Sequence, residues 1–110
     1  MSKESADLLQ GTLDLLILKN LSLESMNGWA ISKKIEKVSS ETLLVKQGSL
    51  YPCLHRLERK GLIKAKWGVS ENNRKAKFYR LTVRGRKQFE KETATWKRFS
   101  GSVELVLKMS

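Results

Sequence analysis

Between positions 47 and 59 the chain places Gln47, Ser49, Tyr51, His55, Arg56 and Arg59 among Leu50, Leu54 and Leu57. Side chains of these types in this pattern suit hydrogen bonding to anions and base edges rather than bond making. On a helical wheel at about 100° per residue, Leu50, Leu54, Leu57 and Gly61 form one inward face. Pro52, His55, Arg56 and Arg59 fall opposite, flanked by Ser49 and Tyr51, as a helix lying in a major groove requires. Arg56 is the candidate for base readout, because its planar fork can take guanine O6 and N7 together. The Ser49 and Tyr51 hydroxyls sit near the helix start, where free backbone amides favour a phosphate. Pro52 lies in the first turn, where its missing N–H costs little.

A second basic cluster follows. Asn72-Asn73-Arg74-Lys75 reads as the tip of a hairpin whose strands carry Lys64, Lys66 and Lys77. Asn73, Arg74 and Lys75 could reach a phosphate backbone or a narrow minor groove, which attracts arginine. Residues 46–87 hold 13 Lys and Arg against two Asp and Glu, a net +11 equal to that of the whole chain. Residues 1–45 are at −1 and residues 88–110 at +1. Charge focused on one local surface is the footprint of a polyanion partner, here double-stranded DNA.

Catalysis finds little support. One histidine, one cysteine, no glycine loop to cradle phosphate and no metal-ligand spacing point away from an enzyme, a cofactor or a metal site. A lone cysteine, Cys53, forms no intrachain disulfide and fits a reducing compartment. It is expected to be inert, although neighbouring cations could lower its pKa and make it a redox switch. The first residues lack a signal-peptide pattern, and the apolar run Leu15 to Leu18 is too short to span a bilayer, so the expected location is cytoplasmic.

At 110 residues there is room for one domain with a modest core, which pairing with a second copy would help stabilise. Asp7 to Ser22 reads as a first helix opened by an Asp7–Gln10 capping box. Leu9, Leu13, Leu16 and Leu21 mark one face of it, while Leu15 and Leu18 mark another that could meet a partner. Asn27-Gly28 is a turn and cap signal, and Trp29 to Val38 follows as a helix with an Ile31, Ile35, Val38 core stripe. Thr42 to Val45 has the composition of a very short strand. The basic helix runs from about Gly48 to Lys60 and ends at Gly61. Leu62 to Trp67 alternates with period two, and Ala76 to Leu81 is its return strand, with Trp29 and Trp67 as core and wing packing. Thr82 to Met109 is a last helix of about 42 Å, with Ser100-Gly101-Ser102 as a candidate kink. Phe89, Trp96, Phe99, Val103 and Val106 recur on it with heptad-like spacing, so it should project and pack against a second chain. Two facing copies of Trp96 could form an aromatic slot for a ligand.

The expected fold is mainly α with a small β-hairpin: a winged helix-turn-helix domain over residues 1–81 and a C-terminal dimerisation helix over 82–110. Gln10-Gly11-Thr12-Leu13-Asp14-Leu15-Leu16, Asn27-Gly28-Trp29-Ala30-Ile31, Gly48-Ser49-Leu50-Tyr51-Pro52-Cys53-Leu54 and Arg74-Lys75-Ala76-Lys77-Phe78-Tyr79-Arg80-Leu81-Thr82 together resemble the PadR family of bacterial transcriptional regulators. The single last helix resembles its short subfamily. Trp29 stands where the family usually has Tyr, and Cys53 where it has Ala. The resemblance implies a homodimeric regulator of transcription, commonly a repressor. It also implies release by a flat apolar or aromatic effector at the dimer interface. The rival reading is a winged helix that docks an acidic protein partner. The density of Arg and Lys at the wing argues against it, because protein interface cores are depleted of lysine.

Overall fold

The computed structural model describes residues 3–110, with side chains from Thr12 onward. The elements in chain order are α1 (Lys3–Leu23), β1 (Met26–Asn27), α2 (Gly28–Val38), α3 (Gln47–Arg59), β2 (Ile63–Val69), β3 (Lys75–Leu81) and α4 (Val83–Leu107). The strands form one antiparallel sheet in the order β1-β3-β2. The hairpin pairs Ile63 with Leu81 and Val69 with Lys75, and β1 sets Met26 beside Tyr79. The chain is thus mainly helical with a small sheet, as the periodicities require.

The core collects the apolar stripes of three helices against one sheet face. Leu13, Ile17 and Leu21 of α1, Ile31 and Ile35 of α2, and Leu50, Leu54 and Leu57 of α3 meet Ile63 and Tyr79. Local chemistry sets the boundaries. The Asn27 side chain accepts from the Ala30 amide at 2.8 Å and starts α2. Gly61, at φ +74°, lets the chain leave α3 in a left-handed conformation that a side chain would strain. Thr82 caps α4 by accepting from the Gly85 amide at 3.0 Å, and its hydroxyl donates to the Gly61 carbonyl at 2.7 Å. Gly85 is obligatory there, because a Cβ would lie 1.9 Å from the Leu62 carbonyl oxygen. The first turn of α4 is therefore clamped onto the start of the hairpin.

Several expectations need correction. Helix α1 begins at Lys3, so Asp7 and Gln10 lie inside it rather than at its start; their side chains and that of Leu9 fall outside the described ones. The third strand is not Thr42–Val45. That segment is irregular, and it follows a turn in which the Glu41 amide bonds the Glu36 carbonyl at 2.7 Å and Ser40 and Glu41 take positive φ. The side of β3 not paired with β2 is taken by Met26–Asn27, and Thr42–Val45 pairs with no strand. Leu18 is 0% exposed within its own core and offers nothing to a partner. Val38, at the last position of α2, overruns the core edge and is 73% exposed. Trp29 is also out of the core, at 57% exposure, on the side of α2 away from Ile31 and Ile35.

Helix α4 has 25 residues, about 37 Å at 1.5 Å per residue. Its first half packs on α1, with Phe89 half-buried against the core. From Ala94 onward it stands away, nearly all exposed. It runs through Ser100-Gly101-Ser102 as one helix, where the two hydroxyls bond back to the Lys97 and Arg98 carbonyls. Among the described residues no helix is long and apolar enough to cross a membrane.

Candidate nucleic-acid interface

Helix α3 is anchored by Leu50, Leu54 and Leu57, all but fully buried. That anchoring turns Gln47, Ser49, Pro52, His55 and Arg59 to solvent, on the face expected from the wheel. Tyr51 sits on the flank. Its ring lies so close beneath the start of α2 that a Cβ at Gly28 would approach its Oη to 2.9 Å. The side chain therefore supports α2 while one edge stays wet.

The wing begins where β2 and β3 part. Ser70 accepts and donates across the turn: its amide bonds the Arg74 carbonyl at 2.8 Å, and its carbonyl takes the Asn73 amide at 2.9 Å. Asn73 occupies the left-handed region at φ 57°, a conformation asparagine tolerates well. Arg74 and Lys75 at this tip are exposed. The register then sorts the strand lysines. Lys75 lies opposite Val69 and Lys77 opposite Trp67, so both share the Trp67 face of the hairpin. Lys75 Nζ stands 4.9 Å and Lys77 Nζ 5.9 Å from the Trp67 ring centre, and Lys77 also meets Glu58 of α3 at 3.9 Å. Lys64 and Lys66 lie on the same strands but point to the other face, beside Arg80 and Phe78.

Between wing and α3 lies an open cleft of about 530 Å³. Trp29, Tyr51, His55, Trp67, Arg74, Lys75 and Lys77 are among its walls, and none of the described residues lining it is acidic. It can accept an anion over an aromatic surface.

Arg56 does not join this cleft. Its Nη2 is bound to Asp14 Oδ1 of α1 at 2.5 Å and to Cys53 Sγ at 3.1 Å, on the flank of α3 that faces α1 and α4. The wheel placed Arg56 outward, yet α1 packs beside that flank and brings a carboxylate 42 residues away in sequence to meet it. The guanidinium assigned to guanine thus has one nitrogen, Nη2, held by α1 and Cys53, while His55 and Arg59 are exposed nitrogen-bearing side chains on the outward face. Cys53 donates to the same carboxylate at 2.5 Å. Burial first, then Asp14, pushes its thiol up to about 12, outweighing the lowering by Arg56. The expected inertness of Cys53 thus has a cause, and the neighbouring cation does not activate it.

This flank opens into a groove of about 500 Å³ where Leu15, Trp96 and Phe99 meet Asp14, Arg56 and Glu92. The Trp96 and Phe99 rings lie 6.3 Å apart. Glu92 Oε2 is buried with no hydrogen-bond partner among the described residues. Burial and the Asp14 charge raise the pKa of this carboxyl. Of the proposed partner-facing residues, Trp96, Phe99, Val103 and Val106 are exposed, Leu15 is half-buried at the groove, and Phe89 packs inward with Lys19 over its ring at 5.9 Å. Among the described residues no cluster of His, Cys, Asp and Glu could hold a metal ion.

Five residues of these two sites are not among those expected from the sequence: Asp14 and Glu92 on one flank, and Asn27, Trp29 and Trp67 on the other. A wheel for α2 would have found Trp29, which lies about 160° from Ile31. From the sequence Asn27 is a turn and cap signal only. Asp14 carried no signal, since its meaning depends on which helix packs beside it.

Comparison with known proteins fits this geometry. The chain is similar to a transcriptional regulator from Clostridium thermocellum, at 29% identity and TM-score 0.84, with 98% of this chain and 99% of that one covered. It is similar to a PadR-like transcriptional regulator from Bacillus cereus, at 31% identity and TM-score 0.81, covering 94% of this chain and 99% of the other. An uncharacterised protein of Lysinibacillus sphaericus is 27% identical over 103 residues, 94% of each chain. Residues 17–91 match the transcriptional regulator PadR-like family, whose members regulate transcription and are not enzymes. With its winged helix, basic α3-and-wing surface and single long last helix, this chain belongs to the PadR-like family of transcriptional regulators.

Proposed function

We propose that the protein is a homodimeric repressor that binds a palindromic operator through α3 and the wing. A small apolar or aromatic molecule entering beside Trp96 then releases it. The observation that carries the reading is the concentration of positive charge. Residues 46–87 hold the full +11, and the cleft between α3 and the wing is lined by cations and aromatics with no acid among its described walls. The outer half of α4 supports the dimer. Trp96, Phe99, Val103 and Val106 recur at helical spacing and are all exposed, and an apolar stripe of that length favours a second helix over water. The groove beside Trp96 and Phe99 supports the effector site, since it has aromatic walls and space for a small molecule. Residues 82–110 would then form the dimerisation helix and residues 1–81 the DNA-binding domain.

A gel shift against promoter fragments at two salt concentrations tests the DNA part. Phosphate contacts predict affinity that falls steeply with salt, and salt-insensitive or absent binding would remove the reading. Light scattering at micromolar concentration tests the rest, since a monomer there ends the dimer proposal.

A further inference from the structure

Two large aromatic side chains sit in the basic cleft outside the hydrophobic core. Trp29 and Trp67 are each 57% exposed, so neither completes the core. They come from different elements, the first turn of α2 and the middle of β2, yet both line the same cleft. An exposed tryptophan pair bordered by cations is the surface expected for a ligand that is apolar and anionic by turns. The sugar–phosphate strand of DNA is such a ligand: each deoxyribose offers an apolar face, and each phosphate a charge. We infer that Trp29 and Trp67 are DNA-contacting residues that pack on the sugars of one strand while Arg74, Lys75 and Lys77 take its phosphates. This rests on the reading of α3 and the wing as the DNA-binding surface. A duplex that puts its major groove on α3 and the adjoining minor groove on the wing must lay the intervening strand across this cleft. The absence of acidic walls among the described residues admits the phosphates, and the Lys75 and Lys77 ammoniums already held over the Trp67 ring mark where charge sits.

The two forces separate by their salt dependence. Sugar packing releases no counterions, whereas a lysine on a phosphate does. The full-length protein is titrated onto a fluorescein-labelled duplex of mixed sequence, about 24 base pairs long, at about 50 and 200 mM salt. Trp29→Ala and Trp67→Ala should each weaken binding about five- to tenfold with an unchanged salt slope. Trp29→Phe and Trp67→Phe should restore most of it. Binding by both alanine variants within about twofold of the parent protein overturns the inference while leaving the DNA-binding surface standing. A Trp67→Ala slope shallower by about one or more overturns the sugar contact for that residue, because the ring would then act only by holding Lys75 and Lys77. No binding by the parent protein removes the underlying reading instead. Independently of any variant, the duplex should shield tryptophan fluorescence from acrylamide, and unchanged quenching overturns the contact.

Discussion

Helix α3 presents one flank to the wing and the other to α1 and α4, and the two flanks are built on opposite electrostatic plans. On the wing side, Arg74, Lys75 and Lys77 border Trp29 and Trp67, with Glu58 against Lys77 at the edge. On the other side, Asp14 and Glu92 border Trp96 and Phe99, and the one cation of α3 that reaches there, Arg56, is tied to Asp14 and Cys53. Both flanks are aromatic, so apolar content does not distinguish them. What differs is whether charge is left uncompensated. On the wing flank Arg74 and Lys75 have no carboxylate partner among the described residues and only Lys77 meets one, Glu58, while on the α1–α4 flank Arg56 is paired with Asp14 and Glu92 adds a second carboxyl. On the proposed function, one helix would serve DNA with one flank and an effector groove with the other.

That contrast can be broken in several ways. The largest effect is expected at Cys53, whose thiol is pushed up to about 12 by burial and by Asp14. Because the thiolate alone reacts, alkylation by iodoacetamide near pH 8 should be at least about 100-fold slower in the folded protein than in the unfolded chain. The rate should keep rising with pH where an ordinary thiol has levelled off, and Asp14→Asn should recover part of the reactivity. A Cys53 as reactive as a free thiol would mean that Arg56 rather than Asp14 governs this flank. Next, replacing Arg74 and Lys75 together with Ala should lower duplex affinity about 30-fold and reduce the salt slope by about two, measured by fluorescence anisotropy. An unaltered slope would take the electrostatic role away from the wing.

Arg56→Ala sharpens the comparison most directly. With its partner pair partly solvated, the loss should be about 1 kcal/mol in thermal or denaturant unfolding, with duplex affinity within about threefold. An affinity loss beyond about 30-fold would return Arg56 to base readout, and the two flanks would then share one function. The smallest effect belongs to Glu92. Its raised pKa means that the folded state holds the proton more tightly than the unfolded chain. Its contribution to stability is therefore present at low pH and lost as pH rises through the raised folded value. Glu92→Gln should be more stable than the parent by about 0.5 kcal/mol at neutral pH, and the gap should close as pH falls into the ordinary carboxylate range. An equal gap at all pH values would mean that the carboxyl is not the strained group.

Much of the fold could be read in advance, for reasons visible in single residues. Gly61 ends α3 and Thr82 begins α4 because positive φ and side-chain capping are local demands. Leu50, Leu54 and Leu57 lie inward because their spacing leaves one apolar stripe. Thr42–Val45 failed for the complementary reason: β-branched composition describes a side chain that suits a sheet, and only pairing with another strand makes a strand. Leu18 failed similarly. Its apolarity required burial, and the sequence had no means of saying whether its own core or a partner would supply it.

The sequence by itself determined what acts over a few residues: the helical and alternating stripes, the caps, and the gathering of all net charge into residues 46–87. Only the tertiary structure decided how that charge is used. Whether a cation is free or paired depends on which carboxylate packs within a few ångströms, and Asp14 reaches Arg56 across 42 residues of chain. Pairing register likewise set Lys75 and Lys77 on the Trp67 face and turned Lys64 and Lys66 away. Electrostatic partnership falls off with distance in space, not along the chain, and so it is settled by packing.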